Sequence, residues 1–185
     1  MNAYRFLVTG CSGGGKSTVI EALAESGVNV MPEAGRLIVK QQMIENGRTL
    51  PWKDLAAFIE KLWNTALEQF DSASRINGLV LFDRGFIEAL AYWKLHDPAK
   101  YEAGKQEVVH RRYCSPAFVA PPWRQLFQND SERRHTFSGA VIEYDAICET
   151  LDDLGYDTLE IPKLEIEQRA AFIRTHIDIA QKSVQ

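Results

Sequence analysis

The feature that most constrains the fold is a glycine-rich segment near the start of the sequence. It reads Gly10-Cys11-Ser12-Gly13-Gly14-Gly15-Lys16-Ser17. The segment matches the pattern G-x-x-x-x-G-K-[ST] at every fixed position, after an apolar run at residues 4–9 and at the start of a helical pattern at residues 16–26. Glycines let the backbone wrap around an anion with its N–H groups inward, and the following helix adds the positive end of its dipole. The sequence therefore predicts a phosphate-binding loop (P-loop) between a strand and a helix.

The residues of this loop have different expected roles. Lys16 is predicted to reach the β- and γ-phosphates of ATP, and the hydroxyl of Ser17 is predicted to ligate Mg²⁺. Thr18, one residue further into the helix, can bring a hydroxyl to the α-phosphate. The predicted nucleotide-binding residues are Gly10, Cys11, Ser12, Gly13, Gly14, Gly15, Lys16, Ser17 and Thr18. Because the chain contains no [NT]-K-x-D segment, which reads guanine, the sequence favours ATP over GTP.

Composition narrows the class of protein. The chain has 185 residues and a formal net charge of -4, so it carries no general electrostatic footprint for nucleic acid. Its three cysteines, Cys11, Cys114 and Cys148, show no C-x-x-C spacing, which predicts free thiols in a reducing compartment. No run of about 18 apolar residues occurs, so no membrane insertion is expected. We expect one cytoplasmic domain over residues 1–185, and nothing in the sequence indicates its oligomeric state.

Short apolar runs alternate with longer amphipathic stretches along the chain. The runs predicted as strands are residues 4–9, 28–31, 79–82, 117–120 and 158–161. The stretches predicted as helices are residues 16–26, 34–45, 54–74, 86–95 and 100–112, one that ends near Gly155, and a last one that includes Ile166 and Ile177. Strands that alternate with helices predict an α/β fold, with a parallel sheet, helices on both faces and a ligand site at the carboxyl ends of the strands.

A second candidate motif, Asp83-Arg84, follows the third predicted strand. In a P-loop fold an acid at this place either meets the magnesium ion or acts as a general base toward an acceptor hydroxyl. The simpler alternative is that Asp83 caps the following helix. Arg84 is predicted either to bind a substrate anion or to pair with an acid on the surface.

The acceptor side of the site is predicted at Glu33 and Arg36, which follow the second strand. A carboxylate at that edge can orient or deprotonate a sugar hydroxyl, and the guanidinium can bind an anion. The alternative is an i, i+3 ion pair on a helix face. Trp123 either stacks on a base or packs structurally, and packing is the favoured interpretation.

These motifs resemble those of known kinases. The Asp-Arg pair resembles that of thymidylate and deoxynucleoside kinases, and the whole chain more closely resembles the small P-loop domain shared by the NadR-type ribosylnicotinamide kinase domain and the TRPL-translocation-defect proteins. The supporting segments keep their order over nearly the full length: residues 10–17, Pro32-Glu33-Ala34, Phe82-Asp83-Arg84-Gly85, Pro121-Pro122-Trp123, residues 129–137, Leu154-Gly155-Tyr156 and Ile161-Pro162.

The resemblance implies a nucleotide-kinase-like core with strand order 2-3-1-4-5. It also implies a lid at residues 127–138 whose arginines, Arg133 and Arg134, close over the triphosphate; by composition alone, this run is a solvated loop. The predicted function is Mg²⁺-dependent transfer of the γ-phosphate of ATP to a small hydroxyl-bearing acceptor such as a nucleoside. Lys16, Asp83, Arg133 and Arg134 are the expected catalytic residues. The alternative is a nucleotide-hydrolysing regulatory module, an ATPase or GTPase switch without a small-molecule acceptor.

Overall fold

The computed structural model describes residues 3–11, 13–127 and 136–182. Its strands are β1 (Ala3–Gly10), β2 (Asn29–Met31), β3 (Gly78–Asp83), β4 (Cys114–Ala120) and β5 (Thr158–Glu160). They form one parallel sheet in the order β2-β3-β1-β4-β5, which confirms the predicted strand order. β4 begins three residues earlier than the sequence predicts, because Cys114 already pairs with Phe6 of the central strand.

The helices lie between the strands along the chain. They are α1 (Lys16–Glu25), α2 (Ala34–Ile44), α3 (Leu55–Ser72), α4 (Phe86–His96), α5 (Pro98–Glu107), α6 (Phe137–Asp153) and α7 (Ile166–Lys182). A short 3-10 helix, Ala73–Arg75, follows α3. α5 starts two residues before the predicted helix because the Asp97 side chain caps it, accepting from Lys100 N at 3.2 Å. No helix in the described part of the chain is both long and apolar enough to span a bilayer.

The two faces of the sheet carry separate apolar cores. Leu7, Val80 and Phe82 point to the core beneath α2, α3, α4 and α6. Their strand neighbours Phe6 and Leu81 point to the opposite core, beneath α1 and α7. This alternation follows from the two-residue period of a strand, and it confirms the predicted sheet with helices on both faces.

The carboxyl ends of β1, β2 and β3 meet at one edge of the sheet. In the parallel register Val8 pairs with Asp83, and the backbone N–H of Arg84 donates to the Val8 carbonyl at 2.9 Å. The P-loop leaves β1 two residues after Val8. The fold therefore places the Asp83-Arg84 pair beside the start of the P-loop, where ligands bind in open α/β sheets.

Candidate active site

The P-loop has a backbone that only glycine fits at its two ends. Gly10 has a φ of 115°, and a Cβ there would lie 2.2 Å from the carbonyl oxygen of Ala120 in the neighbouring strand. Gly15 has a φ of 70° and stands at the N-cap of α1. Both conformations lie in the left-handed region that glycine adopts without strain. The loop can therefore turn sharply out of β1 and directly into α1.

Lys16 is the first residue of α1, and its side chain folds over the loop. The residue is 4% exposed, and its ammonium donates to the carbonyl oxygens of Gly10 at 3.0 Å and Cys11 at 2.5 Å. The buried amine thus lies against the loop backbone. This position agrees with a side chain that serves phosphate, although its role in nucleotide binding stays a prediction.

The amino-terminal end of α1 suits a phosphate group. No side chain caps this end of the helix, and its first turn contains no acidic residue. The first N–H groups of a helix have no partner within the helix, and the helix dipole adds positive potential. A polyphosphate therefore fits this end of α1 both as hydrogen-bond acceptor and as counter-charge. Thr18, predicted to reach the α-phosphate, is exposed and donates to the Gly15 carbonyl at 3.1 Å.

The residues predicted to hold magnesium are oxygen donors, as that ion requires. Ser17 is half-buried in the first turn of α1, and Asp83 is buried at the end of β3. Within the described ranges no group of three or more His, Cys, Asp and Glu side chains is arranged around a metal. Mg²⁺ commonly takes only one or two protein ligands and completes its shell with water and substrate phosphates. Ser17 and Asp83 therefore fit a magnesium–nucleotide complex rather than an isolated metal site.

Next to Asp83, Arg84 lies among three carboxylates. Its Nη1 lies 2.8 Å from Glu143 Oε1 and 3.7 Å from Glu88 Oε1, and its Nε lies 3.4 Å from Glu33 Oε1. Arg84 has a left-handed φ of 64°, which is uncommon outside glycine and is concentrated at functional sites. The predicted surface pairing of Arg84 is wrong, because the guanidinium is buried.

Burial and the neighbouring charges shift the pKa values of Arg84 and Glu88 in opposite directions. Burial disfavours the charged form of Arg84, but Glu143, Glu33 and Glu88 outweigh it and hold the pKa of the guanidinium well above its usual value. Burial raises the pKa of the Glu88 carboxyl, and Arg84 and the hydroxyl of Thr9 partly oppose that rise. Glu88 accepts from Thr9 Oγ1 and from the Gly85 N–H at 2.8 Å. Since Thr9 directly precedes the P-loop, Glu88 joins the loop to the Arg84 cluster.

The Arg84 cluster forms one wall of a pocket. The other lining residues include the apolar or aromatic side chains of Val39, Pro51, Phe58, Leu62 and Tyr92. Glu33, Arg36, Arg84, Glu88 and Glu143 supply the charged groups. A mainly apolar cleft with a few convergent polar groups is the usual form of a small-molecule site. We call it the acceptor pocket below.

The predicted acceptor residues Glu33 and Arg36 both line this pocket. Glu33 is the N-cap residue of α2, two residues after the end of β2, and Arg36 lies in the first turn of that helix. Arg36 Nε lies 3.9 Å from Glu33 Oε2, so the i, i+3 ion pair is present. Glu33 also meets Arg84 from β3, so its carboxylate is oriented from two elements. The structure thus brings Glu33, Arg36 and Arg84 together at the predicted edge.

Three predicted site residues, Ser12, Arg133 and Arg134, lie outside the described residues, as does most of the predicted lid at residues 127–138. Their roles stay predictions.

Sequence reasoning missed Glu88, Glu143 and Arg169. Glu143 lies four residues before Ile147 on the buried face of α6, and Arg169 lies four residues before Ile173 on the buried face of α7. A charged residue within an apolar helical stripe was the signal that could have identified both. Arg169 donates to the P-loop and is treated below.

The fold and the loop define a P-loop domain with a nucleoside-kinase-like architecture. Over residues 5–169 the sequence matches the AAA_28 family, described as an AAA domain. The chain belongs to that family. None of the curated proteins compared with the sequence matches it.

Solved structures of two proteins share the fold. Deoxyadenosine kinase from M. mycoides, with the products dCMP and a flexible dCDP bound, has a TM-score of 0.65 and 13% sequence identity, with 96% of this chain and 99% of that chain covered. The same kinase with bound dATP has a TM-score of 0.63 at 13% identity, covering 95% and 99%. NadR protein in complex with NR has a TM-score of 0.64 at 18% identity, but covers 87% of this chain and 46% of that chain. These matches confirm the predicted resemblance to a NadR-type P-loop domain.

Proposed function

We propose that the protein is a Mg²⁺-dependent phosphotransferase that moves the γ-phosphate of ATP to a hydroxyl of a nucleoside-like acceptor. The observation that carries this proposal is the acceptor pocket, which lies at the same sheet edge as the P-loop. A module that only hydrolyses nucleotide needs no such pocket. The deoxyadenosine kinase structure with bound nucleotides and the NadR structure in complex with NR support the same class of chemistry.

Glu33 is the proposed general base. It lines the pocket, and its side chain keeps 13% of its surface exposed. Arg84 and Arg36 hold its two oxygens from different directions. A base must be positioned within hydrogen-bond reach of the proton that it removes, so a carboxylate fixed from two elements is well suited to orient an acceptor hydroxyl.

The charges of the pocket favour an acceptor without a phosphate group. Three carboxylates, on Glu33, Glu88 and Glu143, face the two guanidiniums of Arg36 and Arg84. Arg84 is already surrounded by these acids, so a second anion would meet carboxylates as well as guanidinium. The apolar side chains of Phe58 and Leu62 can instead pack against a base or ring. We therefore infer a nucleoside rather than a nucleotide as the acceptor.

On the donor side, Lys16 and the N–H groups of the P-loop would hold the polyphosphate, and Ser17 and Asp83 would hold the ion. Bound Mg²⁺ neutralises charge on the β- and γ-phosphates. The enzyme's own contribution is to place the γ-phosphate beside the acceptor hydroxyl, since holding two reactants in line removes much of the entropic barrier.

The test is the rate of ADP release from Mg·ATP, measured with a panel of nucleosides and their 5′-monophosphates. We expect at least one nucleoside to accelerate ADP release and its monophosphate to have no effect. Glu33→Gln should lower the nucleoside-stimulated rate by about 10²–10⁴-fold, the usual contribution of a general base, and leave ATP affinity unchanged.

Glu45→Gln is the matched control, because Glu45 caps the far end of α2 and, among the described residues, its carboxylate accepts from Gln41 and Gln42. It should keep the wild-type rate. ADP release that no nucleoside accelerates, at the same rate in Glu33→Gln as in the wild type, would contradict the phosphotransferase and favour a nucleotide-hydrolysing module.

A further inference from the structure

Arg169, in the first turn of α7, reaches the P-loop from the side of the sheet that α1 and α7 cover. The residue is 2% exposed. Its Nη1 donates to the Gly15 carbonyl at 3.1 Å and its Nη2 to the Gly14 carbonyl at 3.0 Å. One guanidinium therefore holds two consecutive carbonyl groups of the loop.

These two bonds determine where the N–H groups of the loop point. The carbonyl of Gly14 shares its peptide group with the N–H of Gly15, and that of Gly15 shares its own with the N–H of Lys16. In a trans peptide group the C=O and N–H bonds point in opposite directions, and both of these peptide bonds are trans. Because Arg169 holds the carbonyls toward α7, the N–H groups of Gly15 and Lys16 point away from it, toward the concave side of the loop.

The contact is tightly packed. A Cβ added at Gly15 would lie 2.8 Å from Arg169 Nη1 and 3.0 Å from a methyl group of Leu126. The guanidinium thus occupies the space that any larger residue at position 15 would need. This packing leaves the loop little freedom to rotate its peptide groups.

The charge of Arg169 has no acidic partner among the described residues. Its other neighbour is the ring of Trp123, whose centroid lies 5.7 Å from the Arg169 Cζ. The predicted packing role of Trp123 thus includes a cation–π contact. Burial alone lowers the pKa of Arg169, and a guanidinium still keeps its proton. A buried cation without a counter-charge is unfavourable, and the polyphosphate expected on the other side of the loop would supply that charge.

We propose that Arg169 is a positioning residue of the P-loop, which orients the N–H groups of Gly15 and Lys16 toward the polyphosphate and adds a buried positive charge behind them. The proposal rests on nucleotide binding at this loop, part of the proposed function, but not on the identity of the acceptor. Arg169 binds the carbonyls of Gly14 and Gly15, so it acts through the loop backbone.

Arg112 offers a matched control elsewhere in the molecule. It also donates to two consecutive carbonyls, those of Leu154 and Gly155, and its Cζ lies 4.1 Å from the centroid of the Tyr156 ring. Arg112 is exposed and lies just before the first residue of β4, at the opposite edge of the sheet from the P-loop. The two arginines make the same kinds of contact, and only one of them contacts the phosphate-binding loop.

The experiment measures the binding of ATP, ADP and AMP to the full-length protein by calorimetry. For Arg169→Gln we expect ATP affinity to fall by about tenfold or more, with smaller losses for ADP and the smallest for AMP, since a charged hydrogen-bond donor behind the β- and γ-phosphates is lost. For Arg112→Gln we expect ATP affinity within about twofold of the wild type, since its site holds no phosphate.

Three results would overturn the proposal. One is wild-type ATP affinity in Arg169→Gln, and another is an equal loss for ATP, ADP and AMP, which would indicate a general structural defect. If Arg169→Gln does not fold, Arg169→Lys carries the test. That variant keeps the positive charge but cannot donate to both carbonyls with the geometry of a guanidinium. It should lose about threefold to tenfold in ATP affinity. Wild-type ATP affinity in Arg169→Lys is the third contradicting result. A wild-type protein that binds ATP but phosphorylates no acceptor would contradict the proposed function and leave this proposal standing.

Discussion

The two halves of the candidate active site are built in opposite ways. The P-loop half is one continuous segment, with the buried cations of Lys16 and Arg169 against its carbonyl groups. The acceptor half is assembled from α2, α3, α4, α6 and the turn after β3, and three carboxylates surround the guanidinium of Arg84. In the proposed function, this difference separates positive potential for the polyphosphate from a carboxylate-rich pocket for an uncharged acceptor. It also explains why the P-loop half could be predicted from the sequence more completely than the acceptor half.

The largest effect is expected from a substitution in the P-loop half. Lys16→Ala should abolish turnover or most triphosphate affinity, because the ammonium is expected to bind the β- and γ-phosphates. The fold should survive, since the ammonium donates to the Gly10 and Cys11 carbonyls within the loop and not to the apolar core. Calorimetric titration with ATP, together with circular dichroism, checks both statements. Unchanged ATP binding with unchanged turnover would remove Lys16 from the site.

The next effect concerns the junction of the two halves. For Asp83→Asn we expect ATP affinity within about tenfold of the wild type, roughly 1.4 kcal/mol, and a much larger loss of kcat. The reason is that Asp83 lies beside β1 at the start of the P-loop and, in the proposed function, holds the magnesium ion during transfer. Steady-state kinetics measures this split. A wild-type kcat would mean that the carboxylate has only a structural role.

A smaller loss is expected from the arginines that the resemblance assigns to the triphosphate. In the double variant Arg133→Ala/Arg134→Ala, kcat should fall by more than ATP affinity, because guanidinium groups stabilise the negative charge that develops on the transferring phosphoryl group. Single-turnover kinetics with saturating ATP gives the comparison. If both quantities keep their wild-type values, residues 133 and 134 belong to a solvated loop.

The smallest effect concerns the stability of the carboxylate cluster. Burial raises the pKa of Glu88 in the folded state above its unfolded value, so the native protein holds this proton more tightly. Stability therefore falls as the pH rises from about 4.5 through the folded pKa, by at most about 1.4 kcal/mol per pH unit for one group. Glu88→Gln removes this pH-dependent contribution to the free energy of unfolding.

Urea unfolding of the wild type and Glu88→Gln at pH 5, 6 and 7 tests it. The free energy of unfolding of the variant, relative to the wild type, should rise with pH. A relative decline over this range would show that Glu88 is preferentially charged in the native state.

The fold and the P-loop were predictable because their signals are local. Neighbouring residues alone determine the strand before Gly10, the helix from Lys16 and the alternation of apolar runs. The order of the strands in the sheet came from the family resemblance, and the structure confirms it. Glu33 and Arg84 could be placed at the correct edge because each lies within two residues of the end of a strand.

The rest depends on tertiary contacts between distant segments. Glu143 meets Arg84, 59 residues away in sequence, only after α6 packs against α4 and β1, and Arg169 meets Gly15 across 154 residues. Neither residue belongs to a short motif. Their positions in buried helical stripes mark them as unusual, but only the packed structure shows which group each one contacts.

The central claim is that ATP bound at the P-loop half donates its γ-phosphoryl group to a nucleoside bound in the acceptor half. The most direct measurement follows the label of γ-labelled ATP into products, with and without the nucleoside that stimulates ADP release. The account predicts that the label appears in the phosphorylated nucleoside, and that Glu33→Gln suppresses this product far more than it suppresses ATP binding. Label that appears only as inorganic phosphate, at the same rate with and without every nucleoside tested, would contradict it.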